Sequence, residues 1–362
     1  MSMKKKKTII TVIFFVIAGL LLYLFVGSFI QDSLGEDRPG EIEGKVEDDL
    51  HIDENGDESG QSGPDIIDDD IKPNELGKVM IIMYHDISGK EGEWSRHYDN
   101  FREDLETFYK KGYRLISIND FLSNNIDVPR GMTPLILTFD DGTKGQFNYI
   151  EEGNGDLVID PNCAVGIIKE FNKEYPDFGN SAVFYINYPV PFGQKKHVEK
   201  KLNYLIENGM EIGNHTYNHG NLRRLGVKEL QKEIALHVKS TKEYLGDDYD
   251  VNTLALPYGE SSKENMDYII KGEHSGTDYY NKGILLVGAE PTLVPSHKNF
   301  NQYRIPRIRG SEKYINMWLE YFDKNPSQRY ISDGNPNTIT IPKSAEKNFT
   351  SQEIDEKGLV VY

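Results

Sequence analysis

Two rhythms of apolar and polar residues run along positions 78–310. Short apolar runs end abruptly in Gly, Pro or charged residues: Val79–Tyr84, Tyr113–Ile116, Leu135–Phe139, Ser181–Ile186, Leu254–Leu256 and Ile284–Val287. Each is too short for a helix and is bounded by turn chemistry, which predicts buried strands. Between them the period lengthens. Phe101, Leu105, Phe108 and Tyr109 fall on one helical side, with Asn100 and Glu103 as a capping box and Gly112 as the stop. Lys195–Asn208, Lys228–Leu245 and Ser311–Asp323 predict further helices. Strands alternating with helices predict a parallel α/β arrangement, in which polar residues at strand exits mark the site. No internal repeat interrupts this order.

The N-terminal part of the chain follows other rules. Lys4 to Lys7 precede 23 uncharged residues, Thr8 to Ile30. As a helix of 1.5 Å per residue this run is about 35 Å long, enough to cross a hydrocarbon core of about 30 Å. The expectation is an uncleaved single-pass anchor, with the lysines in the cytoplasm and the rest of the chain on the external face. Residues 31–77 hold seventeen acidic and three basic side chains and almost no aromatics. Such a stretch cannot bury enough apolar surface to offset its ordering entropy, so a disordered acidic linker is predicted there. The remaining 285 residues carry a net charge of only −7, without a basic stripe, which speaks against a nucleic-acid partner. The single cysteine, Cys163, rules out an internal disulfide framework and reads as a core residue.

Chemistry concentrates at two strand exits. The run Leu135–Phe139 delivers two adjacent carboxylates, Asp140 and Asp141, followed by Gly142. Paired carboxylates at a buried strand end repel one another unless a cation or a shared proton intervenes. About 75 residues on, His215-Thr216-Tyr217-Asn218-His219 spaces two imidazoles four apart, which on a helical turn places both on one face. Two neutral imidazoles and one carboxylate form a three-ligand set suited to zinc, leaving a fourth position for water and the other carboxylate free as a base.

These segments resemble polysaccharide deacetylases of carbohydrate esterase family 4, which share the NodB-type homology domain. Thr138-Phe139-Asp140-Asp141-Gly142 is similar to the first motif, His215 to His219 to the second, and Leu256-Pro257-Tyr258-Gly259 to the third. The resemblance implies a distorted (β/α) barrel, usually of seven strands, over residues 78–310. It also implies metal-dependent N-deacetylation of sugars. Carried over, Asp140 is the general base. Asp141, His215 and His219 hold one divalent ion, zinc first, with cobalt, nickel or manganese as alternatives. Tyr258 offers its backbone N–H to the oxyanion. Ala255 stands where the third motif usually has an arginine, and the usual late acid motif is missing. Met83-Tyr84-His85-Asp86-Ile87 instead resembles the permuted subgroup of exported poly-N-acetylglucosamine deacetylases, which implies His85 as general acid with Asp86 as an orienting partner. His297 is the second candidate acid.

Arg304, Arg307 and Arg309 recur at short intervals. They read equally as a salt-bridged strand edge or as a source for the missing motif arginine, with Arg307 beside Asp140. Residues 311–362 are expected as a C-terminal helix and tail that pack on or extend the domain. The expected whole is a membrane-anchored deacetylase acting on a cell-envelope glycan such as peptidoglycan or a poly-N-acetylglucosamine-like polymer. The alternative is a catalytically degenerate glycan-binding protein.

Overall fold

The computed structural model describes residues 72–350 and 357–362. An all-parallel sheet forms the frame. Its strands are β1 (Met80–Tyr84), β2 (Tyr113–Leu115), β3 (Thr133–Asp141), β4 (Val183–Ile186), β5 (Glu211–Asn214), β6 (Thr253–Ala255), β7 (Gly283–Leu285) and β8 (Ile308–Arg309). The path runs β7-β6-β5-β4-β3-β1-β8, and the short β2 pairs with the start of β3. Helices α1 (Tyr98–Lys110), α2 (Ala164–Glu174), α3 (Val198–Glu207), α4 (Val227–Leu245) and α5 (Glu312–Lys324) fill the crossovers and follow the last strand.

The central strands are buried on both faces, which is why their sequences read as unbroken apolar runs. Alternate residues nonetheless go to different cores. Met80, Ile82 and Tyr84 of β1 join Leu135, Leu137 and Phe139 of β3 in a cluster with Phe101, Leu105 and Phe108 of α1. Ile81, Ile136, Val183, Tyr185, Ala255 and Leu285 meet in a second cluster with Ile305. That second cluster collects one face of successive strands, so the sheet is curled around it. Residues 305–309 span the remaining gap. Ile305 bridges Leu285, and Ile308 pairs with Ile82 in the register of β1. Seven strands arranged in this way fit a distorted (β/α) barrel.

Several local expectations shift. Helix α1 starts at Tyr98 and is capped by His97, whose Nδ1 accepts from Asp99 N–H at 3.3 Å. The Asn100–Glu103 capping box does not form, because the Asn100 amide donates to Glu91 at 2.9 Å. Residues 72–77, assigned by composition to the linker, belong to the folded body. Asn74 N–H donates to Ile331 O at 2.8 Å, and the Glu75 carboxylate is buried, accepting from Thr340 N–H, Asp333 N–H and the Tyr330 hydroxyl. Beyond α5 the tail adds a parallel two-stranded ribbon, Thr338–Ile341 with Gly358–Val361. No helix among the described residues is long and apolar enough to cross a membrane. The expected anchor, Thr8–Ile30, and residues 31–71 of the expected linker lie outside the described residues.

Candidate active site

The C-terminal ends of β1, β3, β5 and β6 converge on one group of polar side chains. Asp140 and Asp141 are the last two residues of β3. His215 directly follows β5, His85 directly follows β1, and Tyr258 lies in a short turn after β6. The Nε2 atoms of His215 and His219 each lie 3.4 Å from Asp141 Oδ1. One donor atom from each of the three residues falls within 4.8 Å of the others.

The two histidines do not sit on a helical turn. Residues 215–220 form an irregular loop in which Thr216 and His219 have φ of 62° and 56°. Asn214 Oδ1 accepts from Thr216 N–H at 2.8 Å, and Thr216 Oγ1 accepts from Gly220 N–H at 2.9 Å. Asn187 donates to the His215 and Thr216 carbonyls, while Glu233 of α4 accepts from Asn218 N–H. These polar ties satisfy backbone groups that a helix would have paired internally, and they bring the rings to 4.9 Å between centroids. Among the described residues seven non-glycine positions have positive φ, and Asp141, Thr216, His219 and Tyr258 are four of them. Backbone strain of this kind gathers where a geometry is held for chemistry.

The surroundings bias the titratable groups. His215 Nδ1 lies 2.9 Å from Ala255 O, a contact that a ring N–H makes favourably and that turns Nε2 toward Asp141. Burial, reinforced by His215, holds His219 below the usual imidazole range and therefore neutral. Burial also lowers His85, against the opposing pull of Asp140 and Asp141. Burial alone would raise Asp141, but the hydrogen bond and charge of His215 outweigh it and hold the carboxyl below its ordinary range.

Asp140 is fully buried and engaged by Arg307, which is also fully buried. Nη1 and Nη2 reach the two carboxylate oxygens at 2.7 Å each, a bidentate fork. Arg307 is itself held by Leu286 O at 2.8 Å and Thr138 Oγ1 at 3.0 Å. Burial opposes ionisation of Asp140, yet the guanidinium prevails and keeps it ionised far below the usual carboxylate range. Ala255 carries no charge, so Arg307, just ahead of β8, supplies the guanidinium from another strand.

The orienting role expected of Asp86 is not what its contacts show. Its carboxylate accepts from Thr143 Oγ1 at 2.8 Å and from Ser95 Oγ at 3.5 Å, which ties loops together. His85 packs instead against the indole of Trp94, 4.7 Å between ring centroids, and Arg309 covers that indole at 4.1 Å. His297 stands apart from this group. Its Nδ1 accepts from Asn299 N–H, and its charged neighbours are Lys298 and Lys78. Tyr258 has φ of 60°, and its exposed ring lies 4.6 Å from that of His219. Trp94, Asn187 and Gln146 are site residues that the sequence did not flag. Only the aromatic character of Trp94 near His85 offered a signal.

Residues 176–271, which include both histidines and Tyr258, match the family model described as polysaccharide deacetylase. No curated protein matches the chain. Among solved structures, the chain is similar to Streptococcus pyogenes deacetylase PplD in complex with acetate, at 18% identity over 67% of this chain and 97% of that one, with a TM-score of 0.49. It is also similar to a polysaccharide deacetylase from Bacillus cereus (16% identity, 67% and 68% coverage, TM-score 0.49). IcaB from Ammonifex degensii aligns at 14% identity over 71% of this chain and 100% of that one, again with a TM-score of 0.49. Likenesses at this level carry no argument about chemistry, which rests on the site itself.

Proposed function

We propose that this chain, whose residues 176–271 match the polysaccharide deacetylase family model, removes N-acetyl groups from N-acetylhexosamine units of a cell-envelope glycan in a metal-dependent hydrolysis. The observation that carries the proposal is the convergence of Asp141, His215 and His219 donor atoms beside an Asp140 braced by Arg307. The donor set fits a divalent cation: two imidazoles, one turned toward Asp141 by the contact of its Nδ1 with Ala255 O and the other held below its usual range, and one carboxylate held below its own. Zinc suits this set best, with cobalt, nickel and manganese as alternatives. Bound there, such an ion would polarise the acetamide carbonyl and make water more acidic.

The residues of the chain do the rest. Asp140 takes a proton from the attacking water as the new C–O bond forms. Arg307 fixes the direction of its lone pairs, at the expense of basicity. The Tyr258 N–H supports the charge that develops on the carbonyl oxygen. His85 in its imidazolium form, made more acidic by burial, gives a proton to the amine as the C–N bond breaks; Asp140 then releases the water's proton to solvent and His85 regains one, so the products are acetate and a free amino sugar.

Acetate release from N-acetylated chito-oligomers and from wall polymers, with and without a chelator, tests the reading. Asp140→Asn should lower turnover by about 100-fold or more while the ion stays bound. His219→Ala should lose both ion and activity. Wild-type turnover in Asp140→Asn, or indifference to chelation, would remove the mechanism. Lys4–Lys7 and the uncharged run Thr8–Ile30 further support an anchored protein whose domain faces outward. Protease accessibility of residues 72–362 on intact cells checks that placement.

A further inference from the structure

Two strand exits carry the proton acceptor and the proton donor of the proposed reaction, and one buried side chain grips both. Gln146 is fully buried in the turn that follows β3. Its Nε2 donates to the main-chain O of His85 at 2.6 Å and also to the main-chain O of Asp140. Both partners are carbonyls, so only the two hydrogens of the amide nitrogen can satisfy them, and the orientation of the amide is chemically forced. Its Oε1 meets no donor among the described residues. A bare buried acceptor costs about 1–3 kcal/mol, so the side chain sits here for its donors.

The turn is built to place this amide. Gln146 N–H donates to Thr143 O at 3.1 Å, and Val165 N–H at the start of α2 donates to Gln146 O at 3.0 Å. Thr143 Oγ1 holds Asp86 at 2.8 Å. At Gly145 any Cβ would lie 2.1 Å from Ile87 O, so glycine alone allows the turn to approach the exit of β1. Three successive contacts therefore lock the segment after Asp141 onto the segment after Tyr84.

We propose that Gln146 is a positioning residue that sets the separation of His85 and Asp140, so that both proton transfers occur across one substrate. The inference rests on the acid and base assignments of the proposed function. It acts through the backbone of those two residues and touches none of the three ion ligands. Misplacement by about 1 Å can cost on the order of 100-fold in rate.

Gln146→Met removes both donors and keeps the bulk. Its kcat and KM would be measured on an N-acetylated chito-oligomer and on 4-nitrophenyl acetate, whose leaving group departs without a proton. Arg307 still clamps the Asp140 carboxylate in this variant, so the exit freed is that of His85, and the expected result is a fall of about 100-fold in kcat on the amide, with unchanged KM, unchanged ion content and unimpaired turnover of the aryl ester. Retained amide turnover would overturn the inference, and so would equal losses on amide and ester, which a merely structural role produces. His85→Ala, run alongside, separates the two kinds of failure. An amide-selective loss in His85→Ala with an unimpaired Gln146→Met overturns the inference alone. Full amide turnover in His85→Ala overturns the acid assignment and the inference with it. Should Gln146→Met fail to fold by circular dichroism, Gln146→Asn keeps the amide but shortens its reach by one methylene. The same amide-selective loss is then expected, and retained amide turnover or equal losses on both substrates would again overturn the inference.

Discussion

Arg307 lies 167 residues beyond Asp140 in the chain, yet the two make a bidentate pair with neither group open to water. Each charge is tolerable only because of the other. Removing one partner of such a pair strands a buried charge, at about 3–5 kcal/mol. Arg307→Met should therefore lower stability by roughly that amount and abolish turnover. Arg307→Met combined with Asp140→Asn should recover most of the stability and none of the turnover. Chemical denaturation of the two variants, with acetate release measured in parallel, checks both halves. Equal stability of the single and double variants would mean that the pair is not coupled as the geometry requires. At this scale the sequence was partly legible. Asp140, Asp141, His215 and His219 stood out because adjacent carboxylates and paired histidines are chemically conspicuous. Arg307 could be named only through the arginine that the resemblance leaves missing at Ala255, against an equal reading as a salt-bridged strand edge, and Gln146 not at all, because a neutral amide in a turn carries no signal until its carbonyl partners are known.

Among the elements, burial decided what could be read. The strands were legible because both of their faces are covered. Helix α2 was not, since it opens on Ala164-Val165-Gly166-Ile167-Ile168 and is capped by a thiol, with Cys163 Sγ accepting from Gly166 N–H at 3.4 Å. Gly166 would ordinarily argue against a helix. Here a Cβ would meet Asp160 O at 2.1 Å, so close packing demands it. The histidine loop defeated the helical reading because Asn187, Asn214 and Glu233 pair its backbone from outside. Helix α4 offers a test of burial. His237, fully enclosed and packed on Tyr188, is pushed down to about 3 by burial, from 6.5. The unfolded chain binds that proton more readily, so the stabilisation is whole above pH 6.5 and is lost as pH falls toward 3. At pH 5 the loss from this group is about 2 kcal/mol. His237→Phe should flatten the fall in stability between pH 7 and pH 5 by about that amount, read from urea midpoints at each pH. An unchanged slope would show that His237 titrates normally.

The whole folded body begins earlier than composition suggests. Asn74 and Ile331 exchange main-chain hydrogen bonds, Asn74 Nδ2 reaches Ser327 O at 2.8 Å, and Glu75 ties to three groups between Tyr330 and Thr340. Acidic residues normally mark solvated linkers, so composition places Glu75 with them; its partners lie more than 250 positions away. A fragment starting at Lys78 should be less stable than one starting at Lys72 by roughly 3 kcal/mol, at about 0.5 kcal/mol for each of these six hydrogen bonds. Its melting temperature should fall by roughly 5–10 °C. Identical melting curves would show that residues 72–77 contribute nothing.

The strand segment 305–309 bridges β7 and β1 at once, and it is nearly the last part of the barrel to be synthesised. The proposed ion ligands, base and acid all precede this segment in the chain. Until it docks, Asp140 has no guanidinium to aim it. Closing the barrel is thus also the step that would arm the proposed base.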